Sequence, residues 1–67
     1  MTKIQLNGVP HDLAEPTSIA ALLDASGYGG LAVAVEINRE IVPKSLRAQR
    51  LVHDGDHVEV VHAIGGG

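Results

Sequence analysis

The residues that point most directly to chemistry are the last three of the sequence, the glycines Gly65, Gly66 and Gly67. Glycine adds almost nothing to a hydrophobic core and loses more backbone freedom on ordering than any other residue, so such a run contributes little to a fold. It does make a thin strip with a carboxylate at its tip, which can enter a channel too narrow for side chains. The segment 64–67 can reach roughly 13 Å beyond a preceding strand. The alternative interpretation is a frayed terminus or an expression scar, because chain ends are often poorly ordered.

A second group of potentially reactive residues surrounds one predicted turn and comprises His53, Asp54, Asp56 and His57. Imidazoles and carboxylates bind zinc, but four ligands within so short a stretch rarely converge with tetrahedral geometry, and no second pair accompanies them. We therefore expect a solvated turn and no metal site here. The sequence contains no cysteine, which excludes thiolate zinc sites, disulfides and a cysteine nucleophile.

The composition of the 67-residue chain limits the classes of partner. A chain of this length forms one small domain with a thin core. The net charge of −3 and the single aromatic residue, Tyr28, disfavour nucleic acid and anionic membranes as partners. The longest apolar run, 31–35, is too short to span a bilayer, and the alternating N-terminal residues do not form a signal peptide. Because cysteine is absent, we expect a cytoplasmic protein.

Alternating polar and apolar residues predict a β-hairpin at the start of the chain, with strands over 3–6 and 9–13. Asn7 and Gly8 between them favour a type I′ turn, in which both central residues have positive φ. Pro10 lacks a backbone donor, so the second strand should lie at a sheet edge.

A helix is predicted over Ser18–Ser26, where apolar residues recur along one helical face. The Ser18 hydroxyl can cap its first turn, and Gly27 suits the left-handed residue that ends many helices. A helix this short needs packing against a sheet to be stable.

Three further strands are predicted, over 31–37, 41–42 and 57–63, with a helical turn over 44–50 after Pro43. One helix across one face of a mixed four- to five-stranded sheet gives an α+β fold. The first and last strands are apolar enough to lie side by side at its centre, which is the β-grasp arrangement, with the domain over 1–63 and a flexible tail over 64–67. Most of the core is expected to consist of Ile4, Leu6, Ile19, Leu22, Leu23, Val33, Val35, Leu46, Leu51, Val58 and Val60.

The order of these segments resembles the ubiquitin-like sulfur carriers, and among them the thiamine-biosynthesis (ThiS-like) carriers. The resemblance covers essentially the whole chain. The matching segments are Asn7-Gly8, Ser18 before 19–23, 35–38 followed by 41–43, 54–56 and 63–67.

The resemblance implies a carrier protein and not an enzyme. An E1-like adenylyltransferase (ThiF-like) would use ATP to adenylate the carboxylate of Gly67, and sulfur from a cysteine desulfurase would displace AMP and leave a thiocarboxylate. Thiazole synthase (ThiG-like) would then receive this sulfur for thiazole formation in thiamine biosynthesis. Gly65 and Gly66 would pass through the partner's channel. No cofactor is expected to stay bound, because the activating partner consumes the ATP.

A docking face for the activating enzyme is predicted beside the last strand. Alternation places Glu59, Val61 and Ala63 on the side away from the helix, and Ala34 can join them. A face next to this strand has a fixed position relative to the tail, which has to be directed into the active site of the enzyme. The alternative is an isolated exposed valine, which needs no functional explanation.

Three other functions remain open from the sequence. The small subunit of molybdopterin synthase has the same fold and tail, although its usual prolines before the last glycines are missing at 62–64. A ubiquitin-like modifier would form isopeptide bonds through Gly67 to lysines. A plain interaction domain would have an inert tail.

Overall fold

The computed structural model describes residues 2–62 and contains five strands, one α-helix and one short 3-10 helix. The strands form a single sheet in the order β2-β1-β5-β3-β4. β1 and β5 are adjacent and parallel, and the other neighbours are antiparallel. The elements are β1 (Thr2–Leu6), β2 (Val9–Leu13), α1 (Ile19–Ala25), β3 (Val33–Ile37), β4 (Glu40–Ile41), the 3-10 helix (Lys44–Leu46) and β5 (His57–His62). This mixed sheet with one helix confirms the α+β, β-grasp prediction.

Both hairpins turn through two residues with positive φ, as type I′ turns require. In the first, Asn7 and Gly8 have φ values of 52° and 81°. In the second, Asn38 and Arg39 have φ values of 51° and 70°. β2, which contains Pro10, pairs with β1 alone and forms one edge of the sheet, as its missing amide predicted.

The helix begins and ends where its capping residues predict. Ser18 has an extended backbone, and its Oγ accepts a 3.1 Å hydrogen bond from the amide of Ala21. At the other end Gly27 has a φ of 87°, and the amide of Tyr28 donates to the carbonyl of Leu23 at 2.8 Å. This is the Schellman pattern, in which a left-handed glycine lets the chain return and satisfy a free carbonyl.

The core lies between α1 and one face of the sheet. The prediction is confirmed for nine residues that are 8% exposed or less: Ile4, Leu6, Ile19, Leu22, Leu23, Val33, Val35, Val58 and Val60. Ile37, Val42 and Val52 complete the cluster and were missed.

Two predicted core residues, Leu46 and Leu51, are 47% and 44% exposed, so that part of the prediction was wrong. The segment after Pro43 closes on itself through hydrogen bonds such as Leu46 N–H to the Pro43 carbonyl. It also binds the start of α1, where the amides of Ile19 and Ala20 donate to its carbonyls. The segment therefore covers the N-terminal end of α1, and the side chains of Leu46 and Leu51 stay at the surface.

Within residues 2–62, no helix has the length and apolar character needed to cross a membrane.

Candidate functional site

The predicted tail residues Gly65, Gly66 and Gly67, and Ala63 before them, lie outside the described residues. The structure does describe the strand that leads to them. β5 is the middle strand of the sheet, with β1 on one side and β3 on the other. Its last described residue, His62, pairs with Val33. β1 pairs only with His57 and Val58 at the start of β5, whereas β3 pairs with β5 as far as His62, so β3 holds the last described part of the strand.

Asparagine side chains from the two hairpin turns add to this support of β5. The Oδ1 atom of Asn7 accepts a 2.8 Å hydrogen bond from the Val60 amide, and Oδ1 of Asn38 accepts a 2.9 Å bond from the His57 amide. Each asparagine side chain thus supplies the hydrogen-bond acceptor that a carbonyl of the neighbouring strand would otherwise supply, because that strand has already turned away. The sequence predicted Asn7 as a turn former only, and this second role depends on contacts far apart in the chain.

The Asn7 contact continues to the end of β5 through an aromatic ring. Nδ2 of Asn7 donates to the hydroxyl of Tyr28 at 3.2 Å. The Tyr28 ring in turn lies 6.1 Å from the His62 ring, measured between centroids, at an angle of 58°. A tilted pair at this separation is an attractive aromatic geometry. The Schellman turn after α1 and the first hairpin therefore both contact the strand immediately before the predicted tail.

The uncovered side of the sheet carries the predicted docking residues. In the register of β3 and β5, Ala34 lies opposite Val61 and Glu36 opposite Glu59. Val61 is 53% exposed, and Ala34 and Glu59 are also exposed. The shared location of these three predicted residues is confirmed, whereas their docking role stays a prediction and Ala63 lies outside the described residues.

The same face extends further than the sequence indicated. Ile41 on β4 pairs with Glu36 and is 73% exposed. We call the surface formed by Ala34, Glu36, Ile41, Glu59 and Val61 the open face. Glu36 and Ile41 were missed as members because their position depends on strand register, which one sequence does not reveal.

The cluster of imidazoles and carboxylates at 53–57 is a structural turn. Asp56, 9% exposed, accepts a 2.8 Å hydrogen bond from the His53 amide and a 3.0 Å bond from Nδ2 of Asn38. Asp54 accepts a 2.7 Å bond from the amide of Lys3. Both carboxylates are thus occupied by donors of the fold, and no group of three metal-ligating side chains occurs within residues 2–62.

One basic side chain near the start of β3, that of Arg47, serves the fold in the same way. Nη2 of Arg47 donates a 2.6 Å hydrogen bond to the carbonyl of Val33. Arg47 is half-buried, whereas Lys44 and Arg50 are exposed. The guanidinium therefore ties the segment after β4 to the first residue of β3, opposite the end of β5.

Comparison with known proteins agrees with this architecture. The ThiS family model matches residues 4–67. The crystal structure of the thiamine biosynthesis protein (ThiS) from Geobacter metallireducens aligns with a TM-score of 0.85 and 32% identity, covering 98% of this chain and 100% of that one. An NMR structure of a thiamine biosynthesis protein from the same organism aligns with a TM-score of 0.77 and 33% identity, over 98% and 88% of the two chains.

Sequence relatives include both longer and similar-sized proteins. A thiazole synthase of Paramagnetospirillum magneticum is 46% identical over 65 residues, which are 97% of this chain and 20% of that protein. The chain thus spans a fifth of that relative's length. The uncharacterized protein ycf40 of Porphyra purpurea is 36% identical over 64 residues, 96% of this chain and 90% of the relative. With the family model matching nearly the whole sequence and the fold matching solved members, the chain belongs to the ThiS family.

Proposed function

We propose that this protein is a sulfur carrier for thiazole formation in thiamine biosynthesis, with the α-carboxylate of Gly67 as the group that carries sulfur. The observation that carries the proposal is the ThiS family match, which continues through the three glycines to residue 67. The fold supports it, because a central strand leads directly to that segment. In this proposal, residues 2–62 position the tail, and the sulfur chemistry takes place at the carboxylate of Gly67.

The chemistry of a carboxylate explains why such a carrier needs an activating partner. A carboxylate is a poor electrophile, since neither oxygen is a good leaving group. An E1-like adenylyltransferase would join the Gly67 carboxylate to AMP from ATP, with release of pyrophosphate. A persulfide, the form in which a cysteine desulfurase delivers sulfur, then attacks the carbonyl carbon and displaces AMP. A thiol cleaves the resulting S–S bond, which leaves the thiocarboxylate on Gly67 and a disulfide on the sulfur donor. The carrier contributes no catalytic side chain and needs no bound cofactor, because the partner binds and consumes ATP.

The open face is the surface that we assign to the activating enzyme. Glu59 and Val61 lie on β5 itself, and Ala34 lies beside Val61 on β3. An enzyme bound there contacts the strand that leads to the tail. The number of residues between this contact and Gly67 therefore limits the distance from the contact to the carboxylate. In the sequence Ala63 precedes Gly65 and Gly66, which would cross the channel to the nucleotide.

The acceptor of the sulfur is proposed to be thiazole synthase. Two relatives named thiazole synthase, 46% and 40% identical to this chain over 65 residues, contain a segment similar to it. Placing two interacting proteins in one chain raises their effective concentration, so such relatives support a physical partnership. The names of these relatives and of the solved neighbours favour thiamine biosynthesis over the molybdopterin pathway.

Isotope exchange between pyrophosphate and ATP tests the activation step. The protein ending at Gly67 is mixed with the adenylyltransferase of its own organism, ATP and labelled pyrophosphate, and label entering ATP is measured. The proposal predicts exchange that depends on the carrier and is lost when Gly67 is deleted. Exchange that is equal with and without Gly67 contradicts the proposal.

A further inference from the structure

The open face contains a pair of like charges placed directly opposite each other. Glu36 on β3 and Glu59 on β5 are register partners on this uncovered side of the sheet. Cross-strand neighbours lie about 5 Å apart at their Cβ atoms, and like charges so placed destabilise a sheet. Among the described residues, a second charged register pair on this side of the sheet is complementary, with Lys3 opposite Asp12. We therefore expect the acidic pair to lower the stability of the free domain.

Neither carboxylate is compensated by the part of the fold that the structure describes. Within residues 2–62, neither Glu36 nor Glu59 makes a side-chain hydrogen bond or an ion pair, whereas Asp54 and Asp56 both accept hydrogen bonds. On the β4 side, Glu36 faces the apolar side chain of Ile41. Charged groups beside apolar surface lose hydration when a partner covers them, so they need an opposite charge from that partner.

The neighbours of the pair form an apolar border that a partner can cover. Ile41 lies on one side, and Val61 and Ala34 form the next register pair toward the end of β5. Ile41 and Val61 are 73% and 53% exposed. A cation set among such side chains acts in a less hydrated environment, where its attraction to the carboxylates is stronger than in open water.

We propose that Glu36 and Glu59 together bind one cationic side chain of the activating enzyme. This inference rests on the proposed function and adds the chemistry of the contact. A guanidinium fits best, because its planar fork of N–H groups can donate to two carboxylates at once. When the cation binds between the two carboxylates, its attraction to both offsets the repulsion between them. We assign the occupant to the activating enzyme because Glu59 lies on the strand that leads to the tail.

The test uses two isosteric variants, Glu36→Gln and Glu59→Gln, with Glu15→Gln as the matched control. Glu15 is exposed in the segment before α1, so its substitution removes the same charge away from the open face. Affinity for the activating enzyme is measured at several salt concentrations, and the thermal midpoint of each free carrier is recorded. We expect both open-face variants to bind roughly tenfold more weakly, with a shallower salt dependence, because each loses one charge-assisted hydrogen bond. Their thermal midpoints should equal or exceed that of the wild type.

Further variants separate a shared cation from two independent contacts. The double variant Glu36→Gln with Glu59→Gln should lose less affinity than the sum of the single losses, because both carboxylates bind the same group. Glu59→Lys should stabilise the free carrier by forming an opposite-charge pair with Glu36, and should weaken binding more than Glu59→Gln.

Three results overturn the inference: binding of both glutamine variants equal to that of Glu15→Gln at every salt concentration, strictly additive losses, or a loss of affinity for thiazole synthase alone. These results are distinguishable from failure of the proposed function. If the wild type supports pyrophosphate exchange and the open-face variants behave as the control does, only the cation site is wrong. If the wild type supports no exchange, the proposed function itself is wrong.

Discussion

The side-chain oxygen of Asn7 lies 2.8 Å from the backbone nitrogen of Val60 and accepts its hydrogen bond. The backbone amide of Asn7 also donates to the Val58 carbonyl at 2.9 Å. One turn residue therefore extends the parallel pairing of β1 and β5 beyond the end of β1. This contact connects the first hairpin to the strand that leads to the proposed sulfur-carrying tail.

Removing this side chain should destabilise the domain through the last strand. Asn7→Gly keeps the positive φ that the turn requires but leaves the partly buried Val60 amide without its acceptor. We expect a loss of roughly 1–3 kcal/mol in the free energy of unfolding, measured by urea denaturation. Tyr28→Phe is the control, since it removes only the exposed Tyr28–Asn7 bond and should cost about 1 kcal/mol or less. A smaller effect for Asn7→Gly than for Tyr28→Phe argues against the role of Asn7.

The turn before β5 should depend on one of its two aspartates more than on the other. Asp56→Ala leaves two partly buried donors, the His53 amide and Nδ2 of Asn38, without their acceptor, so we expect a loss of about 2 kcal/mol or more. Asp54→Ala removes an exposed bond to the Lys3 amide, which water can replace, and should cost about 1 kcal/mol or less. The free energy of unfolding of both variants is measured by chemical denaturation. Equal losses contradict the greater dependence of the turn on Asp56.

Two isoleucines close together in sequence provide a matched test of the core. Ile37 is 2% exposed and Ile41 is 73% exposed. Ile37→Ala should cost roughly 2–5 kcal/mol because it leaves a cavity, whereas Ile41→Ala should stay within about 0.5 kcal/mol. The unfolding free energies of the two variants are to be compared under identical conditions. Similar losses at both positions would contradict the placement of Ile37 in the core and of Ile41 on the open face.

Local sequence signals were sufficient for most of the fold. Ser18 and Gly27 set the ends of α1, and Asn7-Gly8 set the first turn, because capping and positive φ are properties of single residues. The region after Pro43 was predicted less well, since it has no hydrophobic period from which to read a buried face. There, backbone contacts decide which side chains are buried. The Val42 amide donates to the carbonyl of Val35 and the Val52 amide to that of Thr17, which places both valines inside.

From the sequence, the residues of the candidate site could be predicted only within one strand at a time, and not across neighbouring strands. Alternation in β5 correctly separated Val58 and Val60 from Glu59 and Val61. The pairing of Glu36 with Glu59 depends on the register between two strands, which is set by contacts across the whole domain. For the same reason the sequence did not show that Asn7 binds β5.

Placing a charge on the open face should impair activation and leave the fold intact. Val61→Asp adds a third carboxylate beside the acidic pair on an exposed surface, so the free domain should keep its circular dichroism spectrum. We expect slower adenylation through weaker binding of the activating enzyme, seen as a higher KM for the carrier. Unchanged adenylation kinetics with an unchanged spectrum remove the open face from the account of docking.

Changes in the glycine tail should affect chemistry and leave stability unchanged. Gly66→Val introduces a Cβ that a narrow channel cannot accept, and deleting Gly67 or adding one residue after it moves the carboxylate away from the nucleotide. Each variant should stay within about 0.5 kcal/mol of the wild type in thermal stability, as surface changes generally do. Each should lose adenylation and thiocarboxylate formation. Normal adenylation of all three contradicts the proposed use of the tail.

The intact mass of the carrier purified under mild conditions from its native cells tests the central claim most directly. A thiocarboxylate at Gly67 predicts a fraction of the protein heavier by the replacement of one oxygen with one sulfur. Fragmentation should place that difference on Gly67, and the fraction should disappear in cells that lack the activating enzyme. A protein that carries only an ordinary carboxylate at Gly67, in cells actively making thiamine and with the activating enzyme present, contradicts the carrier function.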